Sequence, residues 1–172
     1  MLQQFKSTDQ NTVSFGHRLA ASDAFKALFR EGMLLVEESA AYLDGAGRKD
    51  ARILSRGDAL AYASESMRLT TRLMQLASWL LLQRAVNEGE MTQVQASADK
   101  HKVALSRQEL ASSPEAFARL PARLQELALQ SQRLQARVMH LDRLIYGAEL
   151  ESAAPVVLGQ IESLRAAFEV RI

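Results

Sequence analysis

One stretch limits what this chain can fold into more than any other. Between Asp58 and Gly89 the apolar residues occupy two stripes of a single helix instead of one. Leu69, Leu73, Leu76 and Leu80 follow at spacings of four and three. Met67, Met74, Ala77 and Leu81 form a second stripe, about 110° round the helix at 100° per residue. Trp79 and Leu82 fall outside both. A helix apolar over so much of its circumference has to be covered on more than one side. A single helical hairpin cannot do that, so a third helix, a second subunit or both must. Asp58 is placed to cap this second helix, and Asn87–Glu88–Gly89 is its stop signal.

The rest of the chain offers further helices. The first should open at Ser22 as N-cap, with Asp23 in its first turn. Phe25, Leu28, Phe29, Gly32, Val36, Ala40 and Leu43 then form one stripe, ended by Gly45 and Gly47. Thr92 can cap a short helix through Val94, Ala98 and Lys102, and residues 104–113 read as a linker. Ser113–Pro114 is a good N-cap and N1 pair, although Pro121 should break or kink whatever begins there. From Leu120, the series Leu124, Leu127, Ser131, Leu134, Val138, Leu141 and Ile145 holds alternating spacings of four and three, with Ser131 the one polar intruder. Gly147 is expected to close this helix. The tail restarts after Pro155 with Val157, Ile161, Leu164 and Phe168, a short amphipathic helix that docks or awaits a partner.

Only 3 prolines and 8 glycines interrupt a chain rich in Ala, Leu, Arg, Glu and Gln, and no run alternates with period two. The expected fold is therefore all-α: a three-helix bundle of long antiparallel helices at about 18–44, 58–88 and 114–146, with short helices after the second and third. Residues 1–16 are read as a flexible arm, 17–147 as the bundle domain and 148–172 as the tail.

Charge and composition exclude several function classes. The 21 Lys and Arg against 20 Asp and Glu leave +1, no field of one sign to draw in nucleic acid or anionic lipid. Without cysteine there is no disulfide, thiolate metal site or cysteine nucleophile. The N-terminus lacks a secretory h-region, and the most apolar run, Leu73 to Leu82, is too short to span a membrane, so a cytoplasmic protein is expected.

No catalytic constellation emerges, and no enzyme activity, metal or cofactor is expected. His17, His101 and His140 stand in neither Glu-x-x-His nor H-E-x-x-H spacing, and neither a phosphate-binding glycine loop nor a G-x-S-x-G elbow is present. Arg119, Arg123, Arg133 and Arg137 lie within about 80° of one another on the third helix. Glu126 shares that face and no aromatic does, which favours local ion pairing over nucleic-acid binding. The candidates for protein contact are Glu65, Arg68, Arg72 and Trp79 on the second helix, with Tyr42 and Tyr62 near the first crossover. Their charges either pair along the helix surface or rim an interface, and Trp79 suits a core and a partner contact equally. On the interface reading, reversing Arg68 and Arg72 to Glu should weaken partner capture and leave the fold intact.

The segment LAYASESMRLTTRLMQLASWLLLQRAVNEGEMT, residues 60–92, closely resembles the alphaproteobacterial family of the regulator of CtrA degradation, a family of unknown-function domains. HRLAASDAFKALFREGMLLVEESAAYLDGAGR (residues 17–48), QASADKHKVAL around Lys102 and LPARLQELALQSQRLQARVMHLDRLIYG (residues 120–147) fit the same family. The resemblance implies a three-helix bundle that forms a homodimer without enzymatic activity. It further implies a proteolysis adaptor that works with a response-regulator partner and links the ClpXP protease to substrates such as a CtrA-like transcription regulator. Two other readings stand beside it: a structural oligomerisation protein with no protease link, and a DNA-associated regulator using the arginine stripe.

Overall fold

The computed structural model describes the backbone of residues 22–100 and 112–169 and the side chains of residues 22–100 and 112–147. Six helices account for most of this: α1 (Asp23–Asp44), α2 (Ala46–Arg52), α3 (Arg56–Asn87), α4 (Gln93–Lys100), α5 (Pro114–Ala118) and α6 (Ala122–Glu169). The N-terminal arm, His17, His101, Lys102 and most of the 104–113 linker lie outside the described residues.

Local capping sets most of the boundaries. The Ser22 hydroxyl accepts from the Phe25 N–H and starts α1 as expected. At α3 the cap is Ser55, not Asp58: the Ser55 hydroxyl accepts from the Asp58 N–H at 3.2 Å and donates to the Asp58 carboxylate at 2.7 Å. The cap satisfies an orphan N–H and places an acid in the first turn. Ser113 and Pro114 open α5, but the chain then turns at Pro121 and the third long helix begins at Ala122. Gly45 ends α1 by donating to Ala41 and Tyr42, whereas Gly47 lies inside α2.

Gly147 does not close the third long helix, which runs on to Glu169 through Pro155, so the tail extends α6 instead of forming a separate helix. A glycine inside a helix costs only about 1 kcal/mol, and stopping one takes a capping geometry as well.

The three long helices each pack on the other two. Every one buries a seam with alternating steps of three and four. On α1 it is Phe25, Leu28, Gly32, Leu35, Ser39 and Tyr42; on α6 it includes Leu124, Leu127, Ser131, Leu134 and Val138. The α1 seam therefore turns from the expected Val36, Ala40 and Leu43 to Leu35, Ser39 and Tyr42. On α3 the seam is Tyr62, Glu65, Leu69, Arg72, Leu76, Trp79 and Gln83, with Leu73 and Leu80 beside it. Such a period of about 3.5 residues is what lets long helices stay in register along one another. Where the three meet, a Cβ on Gly32 would lie 2.5 Å from Leu80 Cδ1 and 3.6 Å from Leu134 Cδ2. The glycine is what allows the helices to approach so closely there.

Candidate functional site

Five of the six residues singled out from the sequence lie inside the bundle. Tyr42, Tyr62, Glu65, Arg72 and Trp79 are all buried, and each occupies one of the α1 or α3 seam positions. The Trp79 Nε1 donates to Asp142 Oδ1 at 2.7 Å, and the same carboxylate pairs with Lys100. The Lys100 ammonium in turn sits 4.1 Å over the ring of Tyr146, whose hydroxyl donates to Gln83. Trp79 thus anchors the core and ties α3 to α6. The Tyr42 hydroxyl donates to Asp50 at 2.9 Å, and burial beside that carboxylate and Tyr62 pushes its phenol well above the ordinary range. Tyr42 and Tyr62 clasp α2 onto the bundle, close over Gly47, where a Cβ would lie 2.5 Å from the Tyr62 hydroxyl.

The charged trio divides in two. Arg68 donates through Nε and Nη2 to one oxygen of Glu65, at 3.0 and 2.7 Å, and also bonds the Ser112 hydroxyl. Arg72 turns inward and donates to the Ser131 hydroxyl at 2.7 Å, while Ser131 donates to the Ala128 carbonyl. That pair explains the polar intruder in the α6 seam: a buried serine there accepts a hydrogen bond from a buried guanidinium. Burial pushes the Arg72 pKa down, against the opposing pull of Glu65. Reversing Arg72 to Glu would bring a second carboxylate beside Glu65 in the interior, so the paired reversal disturbs the core and does not isolate a surface contact.

Three of the four arginines in the stripe of the third helix region are ion-paired. Arg119 pairs with Asp58, Arg137 with Glu31, and Arg123 with both Glu38 and Glu126. Arg119 also holds the Asp58 carboxyl below its usual range. Among the described residues no cluster of acidic and histidine side chains is placed to hold a metal, and no helix is long and apolar enough to cross a membrane.

What the bundle leaves uncovered is one face of α3. Leu60, Met67, Met74 and Leu81 stand seven residues apart and are 70, 72, 66 and 52% exposed. Between them lie exposed Ala63, Thr70 and Thr71 and half-exposed Ser64, Ala77 and Ser78. The only charged residues from Ala59 to Gln83 are Glu65, Arg68 and Arg72, all turned to the other side of the helix. A chain of this composition rarely exposes about six helical turns of uncharged surface with four large apolar residues in line unless something binds there. Three of the four belong to the second stripe read from the sequence; Leu60, one heptad before Met67, is the addition. The face is also symmetric, because Leu60 and Leu81, like Met67 and Met74, are equidistant from the Thr70–Thr71 bond.

Residues 16–168 match the family described as a protein of unknown function, DUF1465. Among solved structures, the chain is similar to RcdA from Caulobacter crescentus CB15, at 55% identity over 73% of this chain and 94% of that one, with a TM-score of 0.61. Curated protein sequences give no match.

Proposed function

The chain belongs to the DUF1465 family, and we propose that it is a non-enzymatic, homodimeric regulator of proteolysis in the cytoplasm. In this role it is an adaptor that, with a response-regulator partner, links the ClpXP protease to cell-cycle regulator substrates such as a CtrA-like protein. Its similarity to RcdA supports the regulatory role. The observation that carries the interaction reading is the uncharged face of α3, left over after all three internal seams are filled.

A second copy suits this face. Two α3 helices crossing antiparallel at Thr70–Thr71 set Leu60 against the second copy's Leu81 and Met67 against its Met74, and no charge meets a like charge. A self-complementary patch of this kind is what a two-fold, isologous interface requires. The small residues Ala63, Thr70 and Ser78 let the helices approach. An adaptor contributes no chemistry; it raises the local concentration of substrate at the protease by binding both, even when each contact is weak.

Three of the four stripe arginines are held in ion pairs, which counts against the DNA-associated reading. A purely structural oligomerisation protein would use the same α3 face, and partner capture separates the two. Tagged protein incubated with host lysate, compared by mass spectrometry with a tagged control of similar charge, should enrich ClpX, a single-domain response regulator or a transcription regulator. Recovery of the protein alone would overturn the adaptor reading and leave the oligomerisation one.

A further inference from the structure

We propose that charge at the two ends of α3 fixes the direction in which two copies pair: Arg52 and Arg56 of one copy meet Glu88 and Glu90 of the other. The inference rests on the α3 face being the dimer interface, as in the proposed function, and adds the device that orients it.

The uncharged face alone does not choose a direction. Laid parallel, two α3 helices would set Leu60 against Leu60 and Met67 against Met67, covering the same side chains as the antiparallel pairing. The two arrangements differ in what meets beyond Leu60 and Leu81. Arg56 opens α3 and stands about 40° round the helix from Leu60, while Glu88 caps the other end about 20° from Leu81. Both are exposed, as are Lys49 and Arg52 on α2 and Glu90 just past α3. In the antiparallel pairing position 53 comes opposite position 88, so Arg52 and Arg56 flank the second copy's Glu88. In the parallel one, basic end meets basic end and acidic end meets acidic end, which costs affinity.

The carboxylates near the basic end are engaged within the chain. Asp44 pairs with Arg48, Asp50 accepts from the Tyr42 hydroxyl, and Asp58 pairs with Arg119. At the acidic end Arg84 pairs with Glu88 at 2.7 Å, but its guanidinium lies 5.1 Å over the Phe29 ring, on the side of α1. The helix dipoles act in the same sense, since antiparallel pairing sets each positive N-terminus beside a negative C-terminus. Reach is sufficient as well. A stripe repeating every seven residues suits a shallow crossing of about 20°. Glu88 then lies about 26 Å from the crossing point, where the axes have diverged by about 9 Å, a gap that Arg and Glu side chains bridge together.

The test is a charge swap in the full-length protein, read by sedimentation equilibrium. Arg52→Glu with Arg56→Glu, and separately Glu88→Arg with Glu90→Arg, should each weaken self-association by about tenfold or more. An equimolar mixture of the two variants should regain the wild-type affinity, because both ends of a mixed antiparallel pair join opposite charges. All four side chains are exposed, so helicity should be kept, which circular dichroism checks. A mixture as weak as either variant alone overturns the proposal. So do variants that associate as tightly as the wild type, and a mixture tighter than the wild type would place like ends together. A monomeric wild type would instead overturn the dimer reading itself, and the orientation with it.

Discussion

Met67→Asp combined with Met74→Asp should convert the proposed dimer into a folded monomer. In the antiparallel pairing each substituted position faces another across the seam, so four carboxylates enter one interface and oppose each other in pairs. Burying unpaired carboxylates costs several kcal/mol, and the dimer should weaken by more than about a hundredfold. Sedimentation equilibrium should report a fall from twice 19.1 kDa to 19.1 kDa. Helicity should be unchanged, because both side chains are exposed on the bundle and support none of its core. Persistence of the dimer in this variant would place the two-fold axis elsewhere.

Trp79→Ala should have the opposite profile, a large loss of stability with the α3 face intact. Removing a fully buried aromatic costs about 3–5 kcal/mol, which for a chain of this size lowers Tm by roughly 6–20 °C. Trp79→Phe should cost far less, about 1 kcal/mol, since packing is largely kept and Asp142 still has Lys100. Thermal unfolding followed by circular dichroism checks both. Were Trp79 an interface anchor, alanine would instead dissociate the dimer with little change in Tm.

The difference between Trp79 and Met74 shows what was legible in the sequence. The excess apolar surface of α3 was evident from spacing alone, and so was the need for more than one covering partner. The stripe of Leu69, Leu73, Leu76 and Leu80 went inward, and Met67, Met74 and Leu81 stayed outward. Trp79 fell outside both stripes because the seam it occupies is hidden from any apolar pattern: Glu65, Arg72 and Gln83 hold three of its positions. Two of those polar groups bond to residues far along the chain, Arg72 to Ser131 and Gln83 to Tyr146, while Glu65 is paired locally with Arg68. Such long-range pairing leaves no periodic trace, and so seam residues looked like a contact surface. Of the arginine stripe, Arg123 pairs with Glu126, which is near in sequence, whereas Glu31 and Glu38 on α1 and Asp58 on α3 supply pairs that the spacing along one helix does not reveal.

On the proposed function, this protein controls the destruction of another one by binding alone. The most direct measurement is the half-life of the CtrA-type regulator after translation is blocked, in host cells with the gene deleted and then restored. The half-life should lengthen in the deletion and recover with the wild-type protein. An unchanged half-life would contradict that function.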